Sequence, residues 1–209
     1  IARRVREVHV YSEILAWNDP SLGKDDPDAR GFILSGGPSS SYEHGAPGLA
    51  AGLLESGLPI LGICYGMQAL ALALKGQVSR AAEHEYGLAE ISVLKANPLL
   101  PECDQTVWMS HGDRVTRLPE GFELLASSAN CPIAAAANPE RRLFGLQFHP
   151  EVRHTPLGTE ILRRFVLDIC GCTPGWTPES IIQQSLARIR AQAAGKQVLS
   201  AVSGGVDSS

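Results

Sequence analysis

The sequence has 209 residues, of which 44% are hydrophobic, and a formal net charge of −4. This length suits one α/β domain, or one domain with a fragment of a second, and the apolar fraction allows a sizeable core. The acidic balance argues against a polybasic surface for nucleic acid or membranes, and no apolar run approaches the ~20 residues of a membrane span. Five cysteines without a CxxC pair suggest a reducing cytoplasm.

The first third of the chain alternates β-rich and helical patterns, separated by Gly, Pro, Asn and Asp. In chain order, the expected elements are a helix end at 1–7, a strand at 8–15, a loop at 17–29, a short buried strand at 32–34, a helix at 46–57, a strand at 58–63 and a helix at 67–76.

The helical signal fades between residues 77 and 146, where apolar segments alternate with turn residues and predict short strands. A helix is expected at 156–171, because Ile161, Phe165 and Ile169 share one face. This order predicts an α/β fold: a mostly parallel open sheet with helices on both faces, flanked by short antiparallel strands. The active site is expected at the carboxyl ends of the strands.

Two prolines and a glycine within residues 173–178 predict a domain boundary. Thr177 is a good N-cap and Pro178 suits the first turn of the helix that follows, which Gly195 ends. A strand at 197–202 then precedes SGGVDSS. The expected domains are 1–172, a linker and helix at 173–196, and the start of a second domain at 197–209.

A cysteine lies between two glycines in GICYG, where a predicted strand meets a predicted helix. Strand, G-x-C-x-G and helix form a nucleophile elbow, with cysteine in place of serine. The turn is so tight that residues near its apex must be very small, as Gly62 and Gly66 are. The thiol of Cys64 would lie at the helix N-terminus, where N–H groups and the helix dipole favour a thiolate. The alternative is a buried cysteine in a glycine-rich turn.

A cysteine nucleophile needs a base, and one of the six histidines has a suitable setting. His149 and Glu151, in FGLQFHPEV, stand two residues apart at the end of an apolar strand. In an extended chain they project to the same side, and a carboxylate beside an imidazole fixes its tautomer and supports its cation. We therefore predict a triad of Cys64, His149 and Glu151. The alternative for His149 is a histidine that caps a strand end.

The blocks SGGP, GICYG and HPE, in this order within residues 31–171, resemble the class I glutamine amidotransferases. The resemblance implies that Cys64 attacks the side-chain amide of glutamine, forms a γ-glutamyl thioester and releases ammonia. His149 would be the general base and acid, with Glu151 orienting it. The resemblance further implies an oxyanion hole from the N–H groups of Gly37 and Tyr65. It assigns glutamine binding to Gln68, Ser110, His111, Gly112 and Asp113.

The segment SGGVDSS offers backbone N–H groups and hydroxyls to an anion, but it lacks the lysine of a Walker loop. It resembles the pyrophosphate loop of N-type ATP pyrophosphatases, and an amidotransferase joined to it by a short helix resembles the glutamine-hydrolysing GMP synthase family. The alternative is a serine-glycine linker. The resemblance assigns the pyrophosphate of ATP to Ser203, Gly204, Gly205, Val206, Asp207, Ser208 and Ser209.

For a full-length protein, the resemblance implies that ammonia from glutamine reaches XMP activated by ATP and magnesium, giving GMP. The expected partners are therefore the small molecules glutamine, XMP and ATP, and a second copy in a homodimer. We expect a cytoplasmic protein with no nucleic-acid or membrane partner. Glutamine hydrolysis itself is expected to need no cofactor and no metal.

The sequence departs from the family at both ends. The family domain opens with a strand before the arginine-rich helix, whereas this sequence begins inside that helix and stops after the phosphate loop. We therefore expect a piece of a longer protein, with its first strand missing, that does not make GMP alone. Two alternatives stay open: an amidotransferase subunit of another pathway, such as anthranilate or carbamoyl phosphate synthesis, and a truncated, non-catalytic binding module. A metal or redox pair at Cys170 and Cys172 is disfavoured, because no second pair follows at zinc-finger spacing.

Overall fold

The computed structural model describes residues 1–24, 26–200 and 204–205, and one mixed sheet organises most of the first of its two units, Ile1–Pro174. The second unit is Gly175–Ser209. The strands among the described residues are β1 (Phe32–Leu34), β2 (Ile60–Ile63), β3 (Gln77–Val93), β4 (Gln105–Arg117), β5 (Glu123–Ser128), β6 (Ala135–Asn138) and β7 (Leu143–Leu146). The helices are α1 (Ala2–Glu7), α2 (Tyr65–Ala73), α3 (Gly158–Arg163) and α4 (Pro178–Ala193), with a 3-10 turn at Ala51–Leu53 and a π-helical turn at Arg164–Ile169.

The sheet joins a short parallel part to a larger antiparallel part, in the order β1-β2-β7-β6-β5-β3-β4. β2 pairs in parallel with β1 and with β7, and the remaining pairs are antiparallel. The predicted α/β class is confirmed, but the sheet is mixed and not mostly parallel, since only two of the six strand pairs among the described residues are parallel. The strands between residues 77 and 146 are present, but β3 and β4 are long, with 17 and 13 residues, and not short as expected.

Helices cover both faces of the parallel part, as predicted. Along β2, Ile60 packs in the same apolar cluster as Leu70 of α2. Leu61 and Ile63 belong to the main core with Val5 of α1. Because side chains alternate along a strand, these two clusters lie on opposite faces of the sheet. β2 therefore runs between two helical layers, and its carboxyl end leads directly into α2.

The strand predicted at 8–15 is wrong, since this segment forms no strand. Its first residues end α1 instead: the N–H of Val10 bonds to the carbonyl of Val5 at 3.4 Å, and that of His9 to Arg6 at 3.0 Å. His9 takes a left-handed conformation, with φ of 62°, which completes a Schellman cap. A β-branched composition favours a strand only where a neighbouring strand can pair with it, and no described strand does so here.

Two further predictions differ from the structure. The helix predicted at 46–57 is reduced to the 3-10 turn Ala51–Leu53, since Pro47 and two glycines interrupt the segment. The strand predicted at 197–202 is not formed over 197–200. Residues 201–202 lie outside the described residues.

The second unit contains α4, whose predicted start is confirmed. The hydroxyl of Thr177 accepts from the N–H of Ser180 at 3.2 Å, and the hydroxyl of Ser180 accepts from the N–H of Thr177 at 2.9 Å. This reciprocal cap, with Pro178 in the first turn, explains why the helix begins there. Within the described ranges, no helix has the length and apolar character needed to cross a membrane.

Candidate active site

The turn between β2 and α2 has the geometry of a nucleophile elbow. Cys64 lies at its apex with φ of 52° and ψ of −106°, a conformation that non-glycine residues rarely adopt. A Cβ at position 62 would lie 2.6 Å from the backbone of Gly66, and a Cβ at position 66 would lie 2.3 Å from the carbonyl oxygen of Leu34. Both flanking positions therefore require glycine for steric reasons.

The thiol of Cys64 is buried, and a backbone carbonyl and a side-chain amide contact its sulfur. Its sulfur lies 3.7 Å from the carbonyl oxygen of Ser110, which can accept from the S–H. The amide nitrogen of Gln147 donates to the sulfur at 3.6 Å. The residue is only 6% exposed, so a reactant would meet the sulfur among protein groups with little water.

His149 and Glu151 form the pair predicted from the HPE block. Nδ1 of His149 lies 2.8 Å from Oε1 of Glu151, and both side chains are largely buried. At position 36 an added Cβ would lie 3.1 Å from Cε1 of His149 and 3.8 Å from Cβ of Cys64. The imidazole and the thiol-bearing residue therefore lie side by side against the Gly36 backbone.

The protonation of His149 depends on both partners. Hydrogen bonding to Cys64, and next to Glu151, raises the pKa of His149 to about 10, against the opposing effect of burial. For Glu151, burial opposes ionisation, but the hydrogen bond and charge of His149 outweigh it and hold the pKa of the carboxyl below its usual value. The geometry thus favours an imidazolium between the carboxylate of Glu151 and the sulfur of Cys64.

Four hydrogen bonds fix the backbone around His149 and Glu151. Its N–H donates to the carbonyl of Trp108 at 3.0 Å, and its carbonyl accepts from the hydroxyl of Thr155 at 2.7 Å. The same hydroxyl accepts from the N–H of Trp108 at 3.0 Å. In α1, Nε of Arg4 donates to the carbonyl of Glu151 at 2.9 Å. These contacts tie the HPE segment to β4 and to α1.

Gln68 lies next to the elbow and is held on both sides of its amide. Its nitrogen donates to the carbonyl of Asp113 at 2.9 Å and approaches Oε1 of Gln147 at 3.4 Å. Its oxygen accepts from the hydroxyl of Ser41 at 3.3 Å. The carboxylate of Asp113 accepts from the hydroxyl of Tyr42 at 3.0 Å. Gln68 of α2 and Asp113 of β4 are thus in contact, and their assignment to glutamine binding stays a prediction.

The sequence did not predict five of these side chains: Ser41, Tyr42, Gln147, Thr155 and Arg4. Gln147 directly precedes the FHPE block, and its 0% exposure could not be read from a single polar residue in an apolar strand. Arg4 lies 147 residues from its acceptor, so no local pattern relates the two.

The two residues predicted to supply oxyanion N–H groups are in contact. A Cβ added at Gly37 would lie 3.4 Å from the ring of Tyr65, so this backbone packs on the aromatic ring. The hydroxyl of Tyr65 donates to the carbonyl of Pro47 at 2.6 Å. Tyr65 is the first residue of α2, and the first four N–H groups of a helix have no intrahelical acceptor.

Other predicted residues lie elsewhere. The side chain of His111 is buried against Glu85, with Nε2 of the imidazole 3.3 Å from Oε2 of the carboxylate. A Cβ added at Gly112 would lie 2.6 Å from Nδ1 of His84, so the ring of His84 covers this glycine. In the predicted phosphate loop only Gly204 and Gly205 are described, and both are exposed. Ser203, Val206, Asp207, Ser208 and Ser209 lie outside the described residues.

Comparison with known proteins gives a family match. The model of the family described as glutamine amidotransferase class-I matches residues 1–169. A GMP synthase (glutamine-hydrolyzing) from Thermomicrobium roseum is 52% identical over 211 residues, which cover 100% of this chain and 40% of that protein. A protein of the same name from Hydrogenovibrio crunogenus is 48% identical over 219 residues, covering 100% of this chain and 42% of that protein. The chain thus spans 40% to 42% of the length of these relatives.

Solved structures give the same picture for the fold. A protein from Thermoplasma acidophilum, named as one of the subunits of GMP synthase, superposes with a TM-score of 0.70 at 33% identity, covering 88% of this chain and 89% of that chain. A glutamine amidotransferase from Thermotoga maritima has a TM-score of 0.54 at 22% identity, covering 83% of this chain and 82% of that chain. The second likeness concerns the fold alone.

Proposed function

Because the chain belongs to the class I glutamine amidotransferase family, we propose that it hydrolyses glutamine to glutamate and ammonia as the glutaminase part of a GMP synthase. The observation that carries this proposal is the position of His149, whose imidazole meets both the Cys64 thiol and the Glu151 carboxylate. A buried sulfur at a strained elbow, paired with an oriented imidazolium, is suited to acyl transfer.

In the proposed reaction, the sulfur of Cys64 attacks the amide carbon of glutamine. The developing oxyanion accepts from the N–H groups of Gly37 and Tyr65, which cost no reorganisation because the backbone fixes them. The imidazolium of His149 gives its proton to the departing nitrogen, and ammonia leaves. His149 then takes a proton from water as the water attacks the thioester, which releases glutamate and restores the thiol. Glu151 orients the imidazole throughout.

Glutamine recognition is proposed for the surface between the elbow and β4. The carbonyl of Ser110 accepts from the Cys64 thiol and the carbonyl of Asp113 accepts from the Gln68 amide, which supports a role for these residues. Gly112 is proposed to take part through its backbone, as the residue before Asp113 in the chain. The side chain of His111 is turned to Glu85, so we assign it a part in shaping this segment and no direct contact with glutamine.

The whole protein is proposed to use this ammonia to convert XMP to GMP. The support is the name of the relatives, GMP synthase (glutamine-hydrolyzing), together with SGGVDSS at 203–209. That loop, at the start of a domain at 197–209 after a linker and helix at 173–196, is proposed to bind the pyrophosphate of ATP with magnesium. We further propose a cytoplasmic homodimer for the full-length protein.

The first test separates the two activities in the full-length protein. Cys64→Ala should abolish GMP synthesis from glutamine while synthesis from added ammonia survives, because only the first requires the thiol. Cys103→Ala, at an exposed cysteine, is the matched control and should retain both activities. Equal loss of both activities in Cys64→Ala would contradict the proposed role of the thiol.

The second test addresses the base. His149→Ala should reduce the glutaminase rate more than Glu151→Gln, because the first removes proton transfer and the second only misaligns it. Alkylation of Cys64 by an electrophilic glutamine analogue should slow in His149→Ala. Equally fast alkylation in the parent chain and in His149→Ala would show that the two residues do not act as a pair.

The third test addresses the ATP loop. Gly204→Val or Gly205→Val in the full-length protein should remove ATP-dependent adenylylation of XMP, because a β-branched side chain blocks close backbone approach to a phosphate. Basal glutamine hydrolysis should persist in both variants. Unchanged turnover of ATP to AMP would assign the segment to a linker.

A further inference from the structure

A second group of ligand-type side chains lies outside the proposed triad. It consists of Glu85, His111 and Cys131, and we call it the β3–β4 cluster. One potential ligand atom from each residue lies within 4.8 Å of the other two, the only such group found in the described part of the chain. The side chains of His111 and Glu85 are 1% and 11% exposed, and Cys131 is 0% exposed.

The fold assembles this cluster from three separate segments. Glu85 of β3 and His111 of β4 are direct register partners in the antiparallel ladder, so their side chains lie on one face. Cys131 comes from the connection between β5 and β6. The hydroxyl of Ser128 accepts from the N–H of Cys131 at 3.0 Å and donates to Oε1 of Glu85 at 3.2 Å. One hydroxyl therefore orients two of the three residues.

The imidazole of His111 is the observation that points to a ligand. Neither of its ring nitrogens makes a hydrogen bond to a described residue, although both are buried. Nε2 is close enough to Glu85 for an ion pair, at 3.3 Å, but is not aligned as a hydrogen bond. A buried polar group without a partner costs about 1–3 kcal/mol, and a neutral imidazole nitrogen with a free lone pair is a common metal ligand.

We propose that the β3–β4 cluster binds one divalent transition-metal ion, with Zn²⁺ as the best match. Zinc takes nitrogen, sulfur and carboxylate oxygen in tetrahedral sites. Ligand atoms around tetrahedral zinc lie roughly 3.3–3.8 Å apart, given bond lengths of about 2.0–2.3 Å. The His111–Glu85 separation of 3.3 Å already meets this, and the other separations, at most 4.8 Å, need a closure of no more than about 1 Å.

Binding of Zn²⁺ to the cluster releases one proton and leaves the site without net charge. The thiol of Cys131 releases one proton to solvent as its sulfur becomes a thiolate ligand, and Glu85 binds as a carboxylate. These two negative charges neutralise the dication, while His111 binds in its neutral form. The fourth position is left for water or for the hydroxyl of Ser128. Ser128 otherwise acts from outside the metal shell as the residue that orients Glu85 and Cys131.

The test measures zinc binding directly, with the full 209-residue chain carrying Cys64→Ala. This background removes the thiol of the proposed triad, so the outcome does not depend on the proposed glutaminase activity. Zinc affinity is measured by competition with a chromophoric chelator, and we expect one ion per chain. Cys131→Ser should weaken binding by more than about 100-fold, since loss of an outer partner alone commonly costs 10–100-fold. Ser128→Ala should weaken it by about tenfold, and Cys103→Ser and Cys170→Ser should leave it unchanged.

Absorption by bound Co²⁺ provides a second measurement. It reports a bond between metal and thiolate, so a purely structural role of Cys131 would not produce it. Co²⁺ bound to the cluster should give a thiolate-to-cobalt absorption band that persists in Cys103→Ser and disappears in Cys131→Ser. If circular dichroism shows that Cys131→Ser does not fold, the test depends on Ser128→Ala, whose zinc affinity should be about tenfold lower than that of the background chain. Absence of binding at micromolar zinc, or equal affinity in the background chain and in Ser128→Ala and Cys131→Ser, would overturn the proposal.

Discussion

The protonation of His149 allows a quantitative test of the active-site geometry. Its pKa is raised from 6.5 to about 10 by Cys64 and Glu151, and the side chain is only 17% exposed, so solvent screening is limited. Folding raises the pKa of His149, so its protonation stabilises the folded state. This contribution is complete at pH values below the pKa of the unfolded state, and it is lost as the pH rises to the pKa of the folded state. The stability difference between the parent chain and His149→Gln should therefore shrink between about pH 6.5 and about pH 10.

The stability difference between the parent chain and His149→Gln should change by ~1.4 kcal/mol for each pH unit inside this window. The difference in free energy of unfolding should fall by about 2 kcal/mol by about pH 8 and by about 4 kcal/mol by about pH 10. Urea unfolding of the parent chain and His149→Gln at several pH values measures it. Cys64→Ala should weaken the pH dependence more than Glu151→Gln, because the hydrogen bond to Cys64 is the larger cause. A stability difference that stays constant over the whole window would refute the coupling.

Two further predictions concern stability and catalysis. Gly66→Ala should lower the free energy of unfolding by about 1–3 kcal/mol, since its Cβ would lie 2.3 Å from a backbone oxygen of β1. Gly48→Ala, where an added Cβ meets open space, is the control in chemical denaturation, and equal stability of the two variants would contradict the tight elbow. Arg4→Met should lower the glutaminase kcat by about tenfold, because a charged donor that holds the Glu151 carbonyl is lost. Arg3→Met, at a 91% exposed side chain, should keep the parent kcat, and equal rates in the two variants would exclude a positioning role for Arg4.

The local geometry that the sequence anticipated, at the elbow, at the His149–Glu151 pair and at the start of α4, depends on residues close together in the chain. Gly62 is required because the backbone of Gly66, only four residues further on, packs against it. The tight turn can therefore be predicted from the spacing of the two glycines in GICYG. The pairing of His149 with Glu151 has the same origin, since residues two apart in an extended segment share a side. The cap at Thr177 likewise depends on three neighbouring residues.

The features that were missed depend on partners remote in the chain. Residues 8–15 have the composition of a strand, but pairing with another strand decides whether one forms. Gln147 approaches Cys64 because β7 pairs with β2, a neighbour relation that periodicity does not reveal. The β3–β4 cluster needs the register between two long strands together with a loop from β5, and its three residues carry no mutual spacing signal.

Gln147 has a consequence for the integrity of the chain itself. Its side-chain amide is the same chemical group as the one that the proposed reaction cleaves, and it lies beside the Cys64 sulfur. Its nitrogen contacts the sulfur and its oxygen accepts from Gln68, so the side chain meets the thiol through the nitrogen of the amide and not through its oxygen. If Cys64 acts as proposed, the chain holds an amide of its own beside the sulfur that attacks the substrate amide. A substrate amide would have to present its carbonyl carbon to this sulfur, so the orientation of the amide plane would distinguish the substrate from Gln147.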